Sequence, residues 1–175
     1  MDIIFKISIY EFAVIILSAI GGFFALFQWR NSYKLKRAEL MKEASSKIRE
    51  DKEIVNVLYR VDYNDEDWYT DEFFEDNHDS EAKFDRTFAF FDYLCYLKNK
   101  RILGNEEFKI FQYRIHRMAC NESFVNYMFN LYHFSEKNNK PVSFYHLLTY
   151  MRKHKLLDDD FWNVNSKRYK KFLNI

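Results

Sequence analysis

Residues 7–29 read ISIYEFAVIILSAIGGFFALFQW, and their reading decides the architecture. From Phe12 to Phe27 nothing is more polar than Ser18. At about 1.5 Å of helical rise per residue the stretch extends roughly 34 Å, which covers a hydrocarbon core of about 30 Å with some tilt. A core helix of a soluble protein would show a polar stripe, and none interrupts Phe12–Phe27. A cleaved signal peptide would have a basic start, a shorter apolar core and a small-residue cleavage site. Here Asp2 offsets Lys6, and Phe27-Gln-Trp-Arg30 follows the core. The stretch therefore predicts a transmembrane anchor within residues 1–29. Tyr10 and Glu11 fall near one interface and Trp29 at the other, where an indole prefers to sit.

Working outward, Arg30, Lys34, Lys36, Arg37, Lys42, Lys47 and Arg49 follow the apolar stretch, while Lys6 alone precedes it. Basic flanks stay in the cytoplasm, so this asymmetry predicts one crossing of the inner (plasma) membrane, N-terminus outside and the remainder cytoplasmic. Arg30, Lys34, Lys36 and Arg37 are candidates to meet anionic lipid heads, besides setting topology. Within the span, Ser18 and Gly22 are four apart, as are Gly21 and Ala25. Small residues at that spacing let two helices approach closely, so they are candidate contacts for self-association. The two cysteines, Cys95 and Cys120, make no disulfide framework, as expected in a reducing compartment.

About 145 residues follow the anchor, enough for one domain. Three Gly and one Pro in the whole chain argue against a loop-rich or β-rich design. The expected fold is all-α: the single transmembrane helix, then an antiparallel bundle of four or five helices. Residues 30–61 read as a basic helical stalk. Leu35, Ala38, Met41, Ala44 and Ile48 recur at helical spacing, and Asp51 caps a second piece carrying Ile54, Val55, Leu58 and Val61. Residues 62–164 form the cytoplasmic helical domain, opening on an acidic, aromatic connection over 62–81. In that connection Asp62, Asn64 and Glu66 alternate like a calcium loop but lack its glycine and closing glutamate. A short helix is expected there around Asp71–Glu75, pinned by Trp68, Phe73 and Phe74.

The helix Glu81–Asn99 buries Phe84, Phe88, Phe91, Leu94 or Cys95, and Leu97. Gly104 ends that segment, and Asn105, Glu106 and Glu107 open the next helix, with Phe108, Phe111, Ile115, Met118 and Ala119 buried. Asn121 or Ser123 caps a helix holding Phe124, Tyr127, Met128, Leu131 and Phe134. Ser143 is expected to cap the last helix, with Leu147, Leu148, Tyr150 and Met151. Residues 165–175 read as a loose basic tail. Charge is uneven: residues 62–85 hold eleven acidic groups and one lysine, whereas residues 86–175 hold sixteen basic groups and eight acidic ones.

The spacing Phe84-Asp-Arg-Thr-Phe88, Phe91, Tyr93-Leu94, Leu97, Lys100-Arg-Ile-Leu-Gly104, Glu107-Phe108 and Phe111, behind an anchor ending in Trp29-Arg30, resembles a family. It comprises small bacterial membrane-anchored helical proteins grouped under a domain of unknown function, some loosely described as phage abortive-infection proteins. The resemblance covers most of the chain and implies a membrane-tethered cytoplasmic helical domain acting in phage defence. It brings no catalytic residues to carry over.

Chemistry leaves few traces. There is no glycine-rich phosphate loop, no His-Glu-x-x-His and no Cys-x-x-Cys. His146 and His154 share a helix face with Tyr150, but two histidines without a third ligand do not define a metal site. Asp85 and Asp92, seven apart, could form a carboxylate pair; two solvated or salt-bridged residues are the simpler reading. Lys167, Arg168, Lys170 and Lys171, with Tyr169 and Phe172, could face a lipid leaflet or nucleic acid, though a solvated tail is simpler. The expected function is a membrane-anchored interaction or effector module, with the lipid bilayer, a second copy and a protein partner as contacts. The alternative is a membrane-tethered hydrolase or nuclease using acidic residues. No cofactor or metal is expected, nor nucleic acid as a partner.

Overall fold

A computed structural model describes residues 9–63, 67–70, 73 and 79–172. Its elements are α1 (Ile9–Glu50), α2 (Lys52–Tyr63), α3 (Asp79–Asn99), α4 (Asn105–Cys120), α5 (Glu122–Lys137), α6 (Tyr145–Lys153) and a 3-10 turn (Asp159–Trp162). The described residues contain no strand, and the fold is an all-α helical bundle behind one long apolar helix. The chain divides into two compact units, Met1–Glu43 and Ala44–Ile175.

In the first unit α1 is helical from Ile9, and every described residue up to Lys36 is exposed. In the second unit α3 is the central element, packing against α2, α4 and α6, while α4 also meets α2 and α5. Phe84, Phe88, Phe91, Leu94, Cys95 and Leu97 are all buried on α3, as their spacing predicts. Abundant aromatic residues build this core. Trp68 stacks on Phe84 at 4.0 Å between centroids, and Phe88 meets Phe124 edge-on at 4.8 Å. Such offset and edge-to-face pairs contribute about 0.5–1.5 kcal/mol beyond the area they bury.

Two segments sit differently from their sequence reading. Residues 52–61, assigned to the stalk, belong to the bundle: Ile54, Val57, Leu58 and Val61 are buried, and α2 packs on α3 and α4. The tail is docked. Asn126 Oδ1 accepts from the Lys170 N–H at 3.0 Å, and Asn130 pairs with the Lys170 carbonyl at 2.7 Å and the Phe172 N–H at 2.9 Å. Two buried asparagines thus satisfy the tail's backbone much as a neighbouring strand would. The helix expected around Asp71–Glu75 lies largely outside the described residues, as do Asn64 and Glu66. Trp68 and Phe73 are buried.

Helix ends explain how the chain manages with so few glycines. The ends of α3, α5 and α6 all close by paired backbone bonds around a left-handed residue: Arg101 (φ 59°), Asn139 (φ 51°) and Lys155 (φ 53°). After α3, Ile102 N–H reaches Leu97 O at 2.9 Å and Arg101 N–H reaches Lys98 O at 3.1 Å. This doubled bond satisfies carbonyls that a helix end would otherwise leave open. Arginine adopts the left-handed region at a cost that glycine avoids. Arg101→Gly is therefore expected to stabilise the fold by about 0.5–1 kcal/mol, read as a higher thermal midpoint.

Candidate membrane-anchor site and the polar groups of the bundle

The candidate anchor is the apolar part of α1. It is long and apolar enough to cross a membrane, and no residue of its most apolar window is buried. Ser18, Gly21, Gly22 and Ala25 lie exposed along one stripe, since residues three and four apart share a helix face. A Cβ added at Gly21 or Gly22 would meet nothing within 4 Å. The glycines are therefore not required by packing within the chain.

Beyond the apolar part, Trp29 and Tyr33 stack at 6.3 Å, and the Arg37 guanidinium lies 5.8 Å over the Tyr33 ring. Arg30, Lys34 and Arg37 follow one another at intervals of four and three along one face, and Lys36 stands off it. Aromatic rings with basic neighbours form the kind of belt that suits a headgroup region. The Tyr33 partner escaped the sequence reading, although its distance of four from Trp29 was the available signal.

In the bundle, the polar residues singled out from sequence have structural partners. Asp85 accepts a hydrogen bond from the Tyr127 hydroxyl. Burial raises its carboxyl, which that bond opposes. Asp92 accepts from the Leu147 N–H at 2.8 Å and so caps α6 from another helix. The expected Ser143 cap is thereby replaced. Phe144 holds the N-cap position in the left-handed region and has no side-chain bond to offer. The two aspartates, seven apart on α3, are thus engaged with different helices rather than with each other. Asp51 caps α2 as expected, its Oδ1 accepting from Glu53 N–H at 3.1 Å and Ile54 N–H at 3.3 Å.

Two cations of the basic tail have internal counterions, Arg168 with Asp158 and Lys170 with Asp67, and Lys171 donates to the Val164 carbonyl at 2.6 Å. At α2's C-terminus, Arg114 and Arg117 both pair with Asp62. Asn121 alone joins α4 to α5; its Oδ1 accepts from Phe124 N–H at 2.8 Å and its amide reaches Val61 O at 3.3 Å. Among the described residues no group of three or more His, Cys, Asp or Glu could hold a metal.

His133 was missed by the sequence reading. It is buried, and its Nε2 lies 2.9 Å from the Phe161 carbonyl, a geometry that needs the Nε2–H tautomer. Burial holds the ring below the ordinary imidazole value of 6.5; Lys171 adds repulsion, while the Phe161 bond opposes. A base depressed in the folded state contributes stability above its unfolded value and loses it as pH falls through that value. The thermal midpoint should therefore decline as pH drops below 6.5, and His133→Gln should flatten that decline. Asp67 and Asp158 act lower. Burial pushes both up, but bonds from Lys170 and Ser123 to Asp67, and from Tyr169 and Phe161 N–H to Asp158, leave both below 3.8. Their contribution is lost only as pH falls through 3.8 toward the depressed values.

No protein-family model, curated protein or solved structure matches the chain.

Proposed function

We propose that this chain is a single-pass membrane protein whose helical unit faces the cytoplasm and works by contact rather than by catalysis. One observation carries the reading: α1 presents apolar side chains on every side, with Ile9, Phe23 and Trp29 each more than two-thirds exposed. Water does not tolerate an apolar surface of that extent, and a bilayer is the solvent that satisfies it. The basic residues after Trp29 support the orientation with N-terminus outside. The hydrolase alternative loses its support because Asp85 and Asp92 are spent on Tyr127 and on the α6 N-terminus. The resemblance in spacing supports a role in phage defence as part of this proposal, since a tethered domain gains effective concentration by confinement to the bilayer plane.

Self-association through Ser18, Gly21, Gly22 and Ala25 tests this reading. Leucine at Gly21 or Gly22 has open space within the chain, so a change in behaviour reports packing against another helix. In-membrane cross-linking of the full chain should give a dimer that Gly21→Leu/Gly22→Leu abolishes while insertion persists. A variant that cross-links as the parent does would remove the stripe from the proposal.

A further inference from the structure

The end of the bundle formed by the α3 C-terminus, the start of α4 and one face of α6 holds a cavity of about 360 Å³. Its charged lining is of one sign. Lys98 and Arg101 come from the end of α3 and the turn after it; His146 and Lys153 come from α6 and His154 from its C-cap. Thr149, Tyr150, Asn99 and Asn105 supply hydroxyl and amide groups, and no carboxylate lines the space. We propose that this cavity binds the phosphate group of a small anionic ligand.

Neighbouring acids are committed elsewhere. Glu107 accepts from the Gly104 N–H, Glu106 pairs with Lys109, and Asp92 caps α6. Lys98 donates to the Asn105 side chain. The side chains of Arg101, His146, Lys153 and His154 have no hydrogen bond or ion pair among the described residues. Lys98 and Lys153 lie in last helical turns, where a cation also complements the helix dipole. That account does not extend to His146, which sits in the first turn of α6, nor to Arg101, beyond the end of α3. Asn105, the first residue of α4, lines the same space.

Mutual repulsion is felt within the cluster. Desolvation first, then Lys153, His116 and Lys98, hold His154 below the ordinary imidazole value. A bound anion would relieve that repulsion. The same cations disfavour a metal at His146 and His154, so the histidine pair noted in the sequence fits an anion better. The rings of Tyr150 and His154, 4.3 Å apart, add an apolar wall beside the charges. The cavity volume lies within the range of small-molecule sites. The phosphate could arrive free, on a nucleotide or on a lipid headgroup, and the test distinguishes these sources.

The full chain in maltoside detergent is titrated with inorganic phosphate, ATP and glycerol 3-phosphate at constant ionic strength, following the thermal midpoint. A ligand that binds only the folded state raises it. A shift with all three assigns the site to the phosphate group itself. A shift confined to ATP assigns a nucleotide, and one confined to glycerol 3-phosphate assigns a headgroup. Arg101→Gly is the informative variant, because it removes a cation while relaxing a left-handed residue. It should raise the unliganded midpoint and weaken binding about tenfold or more. Lys153→Gln should weaken binding similarly with the unliganded midpoint little changed. No shift with any of the three probes at millimolar concentration, or equal shifts in parent and both variants, overturns the proposal.

Discussion

Phe88→Ala should lower the thermal midpoint of the helical unit by roughly 10–20 °C, corresponding to about 3–5 kcal/mol. Phe88 is fully buried, and its ring neighbours come from four different parts of the unit: Trp68, Phe84, Phe124 with Tyr127, and Phe144. Removing the ring leaves a cavity that cannot close by moving one helix, because these neighbours are held by other contacts. Tyr127 is fixed by its bond to Asp85, and Phe144 by the capped start of α6. A domain of this size has a total stability of about 5–15 kcal/mol, so one substitution removes a large fraction of it. Phe91→Ala should act similarly, since Phe91 is equally buried. Thermal denaturation followed by circular dichroism measures both. A midpoint shift below about 3 °C at Phe88 would mean that the ring is not the centre of the core.

The elements were legible where a single local signal suffices. The apolar run of α1, the aromatic spacing of α3, the Asp51 cap and the Gly104 junction each depend on residues close in sequence. What the sequence did not disclose has one physical origin. On α5, Asn126, Asn130 and His133 recur at intervals of four and three, a polar stripe that helical spacing alone would turn toward water. They are instead buried, because the returning chain covers them and offers backbone groups at Lys170, Phe172 and Phe161 as partners. A polar stripe on a helix says only that hydrogen bonds are needed there. Whether water or another segment supplies them depends on contacts some forty residues distant. The Ser143 cap failed for the same reason: a carboxylate from α3 reached the helix end first. The basic tail looked available for lipid or nucleic acid because its counterions, Asp67 and Asp158, are separated from it in sequence by up to 103 residues.

The cationic cavity was partly legible, since His146, Tyr150 and His154 recur at intervals of four along α6 and its C-cap. Lys98 and Arg101 join them only through the packing of α3 on α6. The distinction between a useful charge and a neutralised one therefore needs the whole fold. Arg168 and Lys170 of the tail are ion-paired, whereas Arg101 and Lys153 are not.

Leu17→Arg together with Ile20→Arg should remove the full chain from the carbonate-resistant membrane fraction. The ten Phe, Val, Ile and Leu residues between Phe12 and Phe27 each favour insertion by about 0.3–0.6 kcal/mol near the centre of the span, or roughly 3–6 kcal/mol together. Each arginine opposes insertion by about 2.5–3.5 kcal/mol and also deletes an apolar contribution, so the pair costs roughly 6–8 kcal/mol. The balance changes sign, which one arginine alone would not guarantee. Neither side chain has a packing role to confuse the result: Leu17 is 69% and Ile20 49% exposed on α1. The bundle should accordingly keep its thermal transition while the protein changes compartment. Replacing Arg30, Lys34, Lys36 and Arg37 by Gln makes the complementary change. Apolar length is untouched, so membrane retention should persist, while the Lys/Arg excess on that flank falls from seven to three and the orientation preference weakens. A reporter fused after Ile175 and active only outside the cytoplasm should be silent in the parent and gain signal in this variant. Signal already present in the parent would reverse the orientation, and retention of the double-arginine variant in the membrane would mean that α1 is not what holds the chain there.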